Sequence, residues 1–204
     1  MELAAADVAD SIGDACDPRP LRGGDTLLVF ESFDQPLGPD WIVIQGSWQQ
    51  HDGVLAQYAL DTSAHIFVRL DTQNVAAETR LVFDVFGVPE SFGLVDVRSQ
   101  PDPTGFFDGY NCGVSTPQTA LMHTIDNSAP ILARTLPLAQ PVTVGSSHQV
   151  RTGIFDSALR CRIDEVEIAD ADTTYPVGMG AGLASVRAQA HFEYFAVYEL
   201  GGPL

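Results

Sequence analysis

The chain contains no lysine. Its 10 basic residues are all arginine and stand against 27 acidic ones, for a formal net charge of −17. So acidic a chain is repelled by phosphate backbones and anionic lipid, which argues against nucleic-acid partners and membrane-surface roles. No run of about 18 apolar residues occurs, so no membrane-inserted helix is expected. The three cysteines, Cys16, Cys112 and Cys161, include no CxxC pair, which excludes a zinc ribbon or a thioredoxin-like motif. His51, His65, His123, His148 and His191 are scattered without HxH or HExxH spacing, so a zinc site is not expected. A GxSxG elbow, a P-loop and a dinucleotide fingerprint are all missing. Sustained helical periodicity and internal repeats are missing too.

What is present reads as one folded unit. Hydrophobic residues make up 45% of 204 positions, too many for a disordered chain. A chain of this size buries roughly 70% of its unfolded surface, so neither metal nor disulfide is required for stability. The acid excess serves solubility first, and it also suits cations or neutral polar ligands. Residues 1–25, rich in Ala, Asp and Gly and punctuated by DPRPLRGGD, are expected as a flexible tail. A short helix over Leu3–Ile12 is compatible with its composition. The N-terminus carries acids and lacks a positive n-region, so it is not an intact signal peptide. The expectation is an exported protein (secreted, periplasmic or cell-surface) whose leader has been removed. Residues 26–204 are expected as one β-sandwich domain.

The strand signals are local. Thr26–Phe33 alternates as a first strand. Pro36, Gly38 and Pro39 make a loop closed by Trp41, and Trp41–Ile44 is short and apolar. Ser47–Gln50 and Val54–Tyr58 flank Asp52-Gly53, the best hairpin signal in the chain, because glycine accepts the positive φ of a primed turn. Ala64, Ile66, Val68 and Leu70 share one face of the next strand, with His65, Phe67 and Arg69 on the other. Strands follow at Glu78–Val88, Phe92–Ser99, Phe106–Ser115, Ala120–Ile125, Ile131–Leu136, His148–Phe155, Leu159–Ile163, Val166–Ala169, Gly180–Val186 and Ala190–Leu200. Turns are expected at PDPTG (101–105), Asp126-Asn127, Asp156-Ser157 and Asp164-Glu165. Strands spaced by about 8 to 14 residues, with turn chemistry between them, define an all-β, two-sheet antiparallel sandwich or barrel. Cys112 and Cys161 fall inside strands, either as buried thiols or as a cross-sheet disulfide. Cys16 is a partner for either, or a remnant of processing.

Two stretches carry a family resemblance. Phe33-Asp34, Trp41 and the run Gly46–Leu55 match an opening in which a Phe-Asp strand leads to Trp and then to GxWxxxDGxL. Ile163-Asp164-Glu165-Val166, Gly180-Ala181-Gly182-Leu183 and Phe192–Val197 match a C-terminal hairpin, a glycine strand and a last strand. Together they resemble the concanavalin A-like lectin/glucanase jelly rolls, including laminin G-like and 3-keto-disaccharide hydrolase-like domains. Glu165 stands where the family has a turn glycine, and Glu193 where it has aspartate. The resemblance implies a jelly-roll sandwich and a carbohydrate-related role, and one fold hosts many activities.

It also implies where to look for chemistry. Glycosidases of this fold carry their carboxylates as ExDxxE or ExDxE on one strand face; Asp164, Glu165 and Glu167 have a different order and fall at a hairpin tip. Related jelly rolls bind calcium where first and last strands meet, so Asp34 or Glu31 with Glu193 are the candidate oxygen ligands. Sugar binding needs an aromatic platform with polar groups beside it. His65, Phe67, Arg69, Asp96, Arg98, Tyr110 and His123 are expected to line one concave face, while Trp41 and Trp48 are expected in the core. The leading expectation is a non-catalytic, lectin-like domain binding a polysaccharide or glycan, with no required cofactor and calcium as a structural option. The alternatives are a glycoside hydrolase or related sugar-processing enzyme, and a structural or adhesion module binding protein.

Overall fold

The structure, a computed structural model, describes residues 24–60, 62–101, 107–126 and 129–203. The expected tail up to residue 23, the Leu3–Ile12 helix, Cys16, Phe106, most of the 101–105 turn and Asn127 lie outside the described residues. Strands and turns make up the rest, with no helix among the described residues.

The strands, numbered in chain order, form two antiparallel sheets. Sheet A runs β13 (Val166–Ala171), β12 (Ala158–Ile163), β11 (Ser147–Phe155), β6 (Val75–Phe86), β15 (Ala188–Glu199), β4 (Val54–Gln57) and β3 (Trp48–His51). In that sheet β15 is shared: its first half pairs with β4 and its second half with β1 (Thr26–Glu31). Sheet B runs β10 (Ala129–Pro137), β9 (Thr119–Asp126), β8 (Phe107–Ser115), β7 (Phe92–Pro101), β14 (Gly178–Val186), β5 (Ser63–Thr72) and β2 (Trp41–Gln45). This is the two-sheet sandwich expected from the turn spacing, with the jelly-roll form that the resemblance implies.

Period-2 alternation aims one face of each sheet inward. Leu81, Phe83, Val150, Cys161 and Phe192 of sheet A meet Ile66, Val95, Cys112, Met122 and Leu183 of sheet B in one buried core. Of the two alternatives for the cysteines, the structure has the cross-sheet disulfide: Cys112 of β8 is bonded to Cys161 of β12. The tryptophans sit at the first corner. Trp41 packs edge-on against Phe195 at 5.5 Å between ring centroids, and Trp48 packs against Phe192 at 5.9 Å. Trp41 thereby ties β2 of sheet B to β15 of sheet A.

The turns explain some local sequence choices. Asp52 and Gly53 both have positive φ, as a primed hairpin requires. At the Asp164-Glu165 turn the left-handed position is Asp164, with φ of 51°, and not Glu165. Aspartate tolerates that region better than most residues, so the turn manages without a glycine.

Candidate functional site

On the outward face of sheet B, four neighbouring strands bring a row of polar side chains together. Asp96 on β7 lies between Gly182 on β14 and Asn111 on β8, and Asn111 lies beside His123 on β9. His65, on β5, reaches the same row across β14. Its Nε2 is 3.0 Å from Asp96 Oδ2, and both side chains are buried. The glycine makes this possible: a Cβ at Gly182 would stand 2.9 Å from His65 Nε2 and 2.5 Å from the Ile66 carbonyl oxygen. The His65 ring stacks on Phe67, with centroids 5.8 Å apart and planes at 15°.

The row is not satisfied internally. Among the described residues, Asp96 Oδ1, Asn111 Oδ1 and Asn111 Nδ2 are buried with no hydrogen-bond partner. Such atoms are uncommon, because each unmet buried polar group costs about 1–3 kcal/mol. Here two acceptors and a donor lie side by side on adjacent strands. Asp96 and Asn111 are at most 1% exposed. His123, at the β9 end, is half-buried, and desolvation lowers its pKa, which keeps the imidazole neutral at pH 7.

The other expected site residues go elsewhere. Arg69 is exposed and lines a separate cavity of about 330 Å³ with Asp71 and Met179. Arg98 was expected to share the face of Asp96, because the two are two positions apart. A register irregularity follows Val97, and Arg98 takes a φ of 51°, so alternation fails there. Its guanidinium turns into the end of the sandwich and donates to the carbonyls of Gln73, Tyr175 and Asp156 at 2.7, 2.7 and 3.2 Å. Tyr110 points inward, fully buried, over which Arg98 stacks at 6.0 Å. Its hydroxyl accepts from the Tyr175 backbone N–H at 3.0 Å and donates to Asp172 at 3.3 Å. Arg98 and Tyr110 therefore clamp loops together and do not line the outward face of sheet B, a correction to their expected placement.

The carboxylates proposed for metal or acid–base chemistry lie apart from one another. Asp34 lies over the Asp52-Gly53 turn, 3.0 Å from where a Gly53 Cβ would stand. Glu193 pairs with Arg80 at 3.4 Å. Among the described residues no three His, Cys, Asp or Glu side chains converge as metal ligands, so these side chains alone do not furnish the oxygen set that calcium takes. At the hairpin tip, Asp164 pairs with His148 at 2.8 Å and accepts the Gln149 N–H at 2.9 Å. Glu167 pairs with Arg160 at 2.8 Å.

Sequence reasoning overlooked Asn111. Its only signal is parity: it alternates with the inward Tyr110 and Cys112, but nothing local says that it will sit between Asp96 and His123.

These features define a class of fold before any particular protein: a two-sheet jelly roll whose outward sheet face carries a polar row. No protein-family model matches the chain, and no curated protein matches it. Solved structures do match. The carbohydrate-binding module CBM66 from Bacillus subtilis superposes with a TM-score of 0.65 at 17% identity, covering 75% of this chain and 91% of that one. A β-1,3-1,4-glucanase (lichenase) from a mouse hindgut metagenome gives 0.64 at 13% identity, over 84% of this chain and 99% of that one. The Ca2+-bound exoplasmic/lumenal domain of VIP36 gives 0.60 at 13% identity, over 85% and 90%. At these identities the likeness is one of fold.

Proposed function

We propose that this chain is a non-catalytic, lectin-like carbohydrate-binding domain of the concanavalin A-like kind, holding a neutral sugar on the outward face of sheet B. The observation that carries the reading is the buried trio of Asp96 Oδ1, Asn111 Oδ1 and Asn111 Nδ2, without hydrogen-bond partners among the described residues. Vicinal sugar hydroxyls complement such a set: one hydroxyl donates to the carboxylate, while its neighbour accepts from the amide N–H and donates to the amide oxygen. His65 holds Asp96 in place through the other oxygen. A net charge of −17 disfavours anionic glycans, so the sugar is neutral.

The row contains one carboxylate, whereas glycoside hydrolysis ordinarily employs two across the scissile bond. That supports binding without turnover. The neighbouring folds include a carbohydrate-binding module, and the VIP36 domain has also been seen in a Ca2+/Man3GlcNAc-bound form. The reading itself calls for no calcium. The cross-sheet disulfide supports export, since such bonds persist in oxidising compartments.

Calorimetry against a panel of neutral oligosaccharides tests this. Binding to at least one is expected, weakened about tenfold or more by Asp96→Asn or Asn111→Ala with the fold retained. Undiminished affinity in both variants would remove the site, and hydrolysis of any panel member would remove the non-catalytic reading.

A further inference from the structure

The opposite face of the sandwich carries a second, differently built cleft. On β4, Val54 and Ala56 face outward, and Tyr58 continues that face just past the strand end. The small Ala56 lies opposite His191 of β15 and opposite Gln49 of β3. The cleft above this low floor has a volume of about 340 Å³ and is walled by His51 and Tyr58 on one side and by Asp84 and His191 on the other. That is the small end of the roughly 300–1,000 Å³ range of small-ligand clefts.

Each wall is a pre-ordered pair. His51 Nε2 and the Tyr58 hydroxyl are 2.7 Å apart, and the two rings stack with centroids at 6.3 Å and planes at 29°. Tyr58 nevertheless remains 40% exposed. Across the cleft, His191 Nδ1 is 2.9 Å from both oxygens of Asp84. A surface histidine–carboxylate pair alone says little about binding. Here an exposed aromatic face, already immobilised, confronts a carboxylate already oriented. Fixing side chains beforehand removes much of the entropy lost on binding.

We infer that this cleft between Tyr58 and Asp84 is a second sugar site on sheet A, taking a single neutral pyranose ring. The apolar C–H face of the ring lies on Tyr58, and two ring hydroxyls donate to Asp84. Asp52, next to His51 on the same rim, adds a second carboxylate and turns anionic sugars away. The inference rests on the carbohydrate reading for its ligand class, but on none of the sheet B residues. It makes the domain bivalent, with one site on each outward face, able to bridge two chains of a polymer.

A site-resolved NMR titration with methyl glucoside, methyl mannoside, methyl galactoside and methyl xyloside separates the two proposals. Saturable backbone shifts at His51, Tyr58 and His191 are expected with at least one glycoside. Tyr58→Ala should abolish them, and Asp84→Asn should weaken them about tenfold or more, with shifts at Asn111 and His123 untouched. Shifts confined to Asn111 and His123 would overturn this inference and leave the sheet B reading standing. Shifts confined to the Tyr58 cleft would do the reverse. Shifts at His51 and His191 that persist unchanged in both variants, or no shifts with any glycoside, would overturn the inference.

Discussion

Asn111 separates stability from binding. Its amide is buried and unmet among the described residues, so Asn111→Leu, of similar shape, removes a penalty and should stabilise the protein by about 1 kcal/mol or more in urea unfolding while sugar binding disappears. A loss of stability would show that the amide is satisfied in solution. Glu78 gives a pH signature. Burial pushes its carboxyl up, against Arg151 and the hydroxyls of Tyr198 and Tyr194, which pull it down. The folded protein therefore keeps a proton on Glu78 that the unfolded chain has already lost. From the ordinary value of 4.5 up to the raised native one, stability should fall as pH rises. Melting curves of Glu78→Gln should lack that portion of the slope; an unchanged slope would mean that Glu78 is not perturbed. At this scale the sequence was legible wherever alternation held. His65, Asp96 and His123, expected on one concave face, do share the outward face of sheet B. Arg98 does not, because a backbone irregularity at one residue reverses a side chain without leaving a mark in the sequence.

Strands were the legible elements, since their ends are written in Asp-Gly, Pro and Asn chemistry. Pairing was not legible: that β14 lies between β5 and β7, and that β15 divides itself between β4 and β1, are long-range choices set by core packing. The same applies to the cysteines, whose spacing left thiol and disulfide equally open. The bond between β8 and β12 closes a separation of 49 residues, for which chain entropy predicts about 4 kcal/mol. Reduction, or a Cys112→Ser/Cys161→Ser double variant, should lower unfolding stability by about 2–5 kcal/mol and leave the strand signature in circular dichroism intact. The tryptophans behave as elements of the corner: Trp41 of sheet B packs on Phe195 of sheet A and joins the sheets, while Trp48 packs on Phe192 within sheet A, so neither presents a platform.

At the scale of the whole molecule, 27 acids against 10 arginines put repulsion over the entire surface. Sodium chloride screens it, so the Tm should rise between low salt and about 0.5 M, by roughly 2–4 °C for each kcal/mol of repulsion relieved. A falling Tm would mean that ion pairs such as Arg160–Glu167 outweigh the net charge. The two outward faces, one with a buried polar row and one with an open aromatic cleft, are set back to back through a shared core.

The hydrogen bond from the Gly201 N–H to Asp25, at 2.9 Å, closes the molecule in another sense. The first and last described segments lie against each other, so the described fold is nearly a ring. Such a fold can be cut at an exposed loop, for instance at Val144, and rejoined across 25 and 201 without disturbing either sheet. It could also sit as an insert within a loop of a host protein, where both outward faces would remain free.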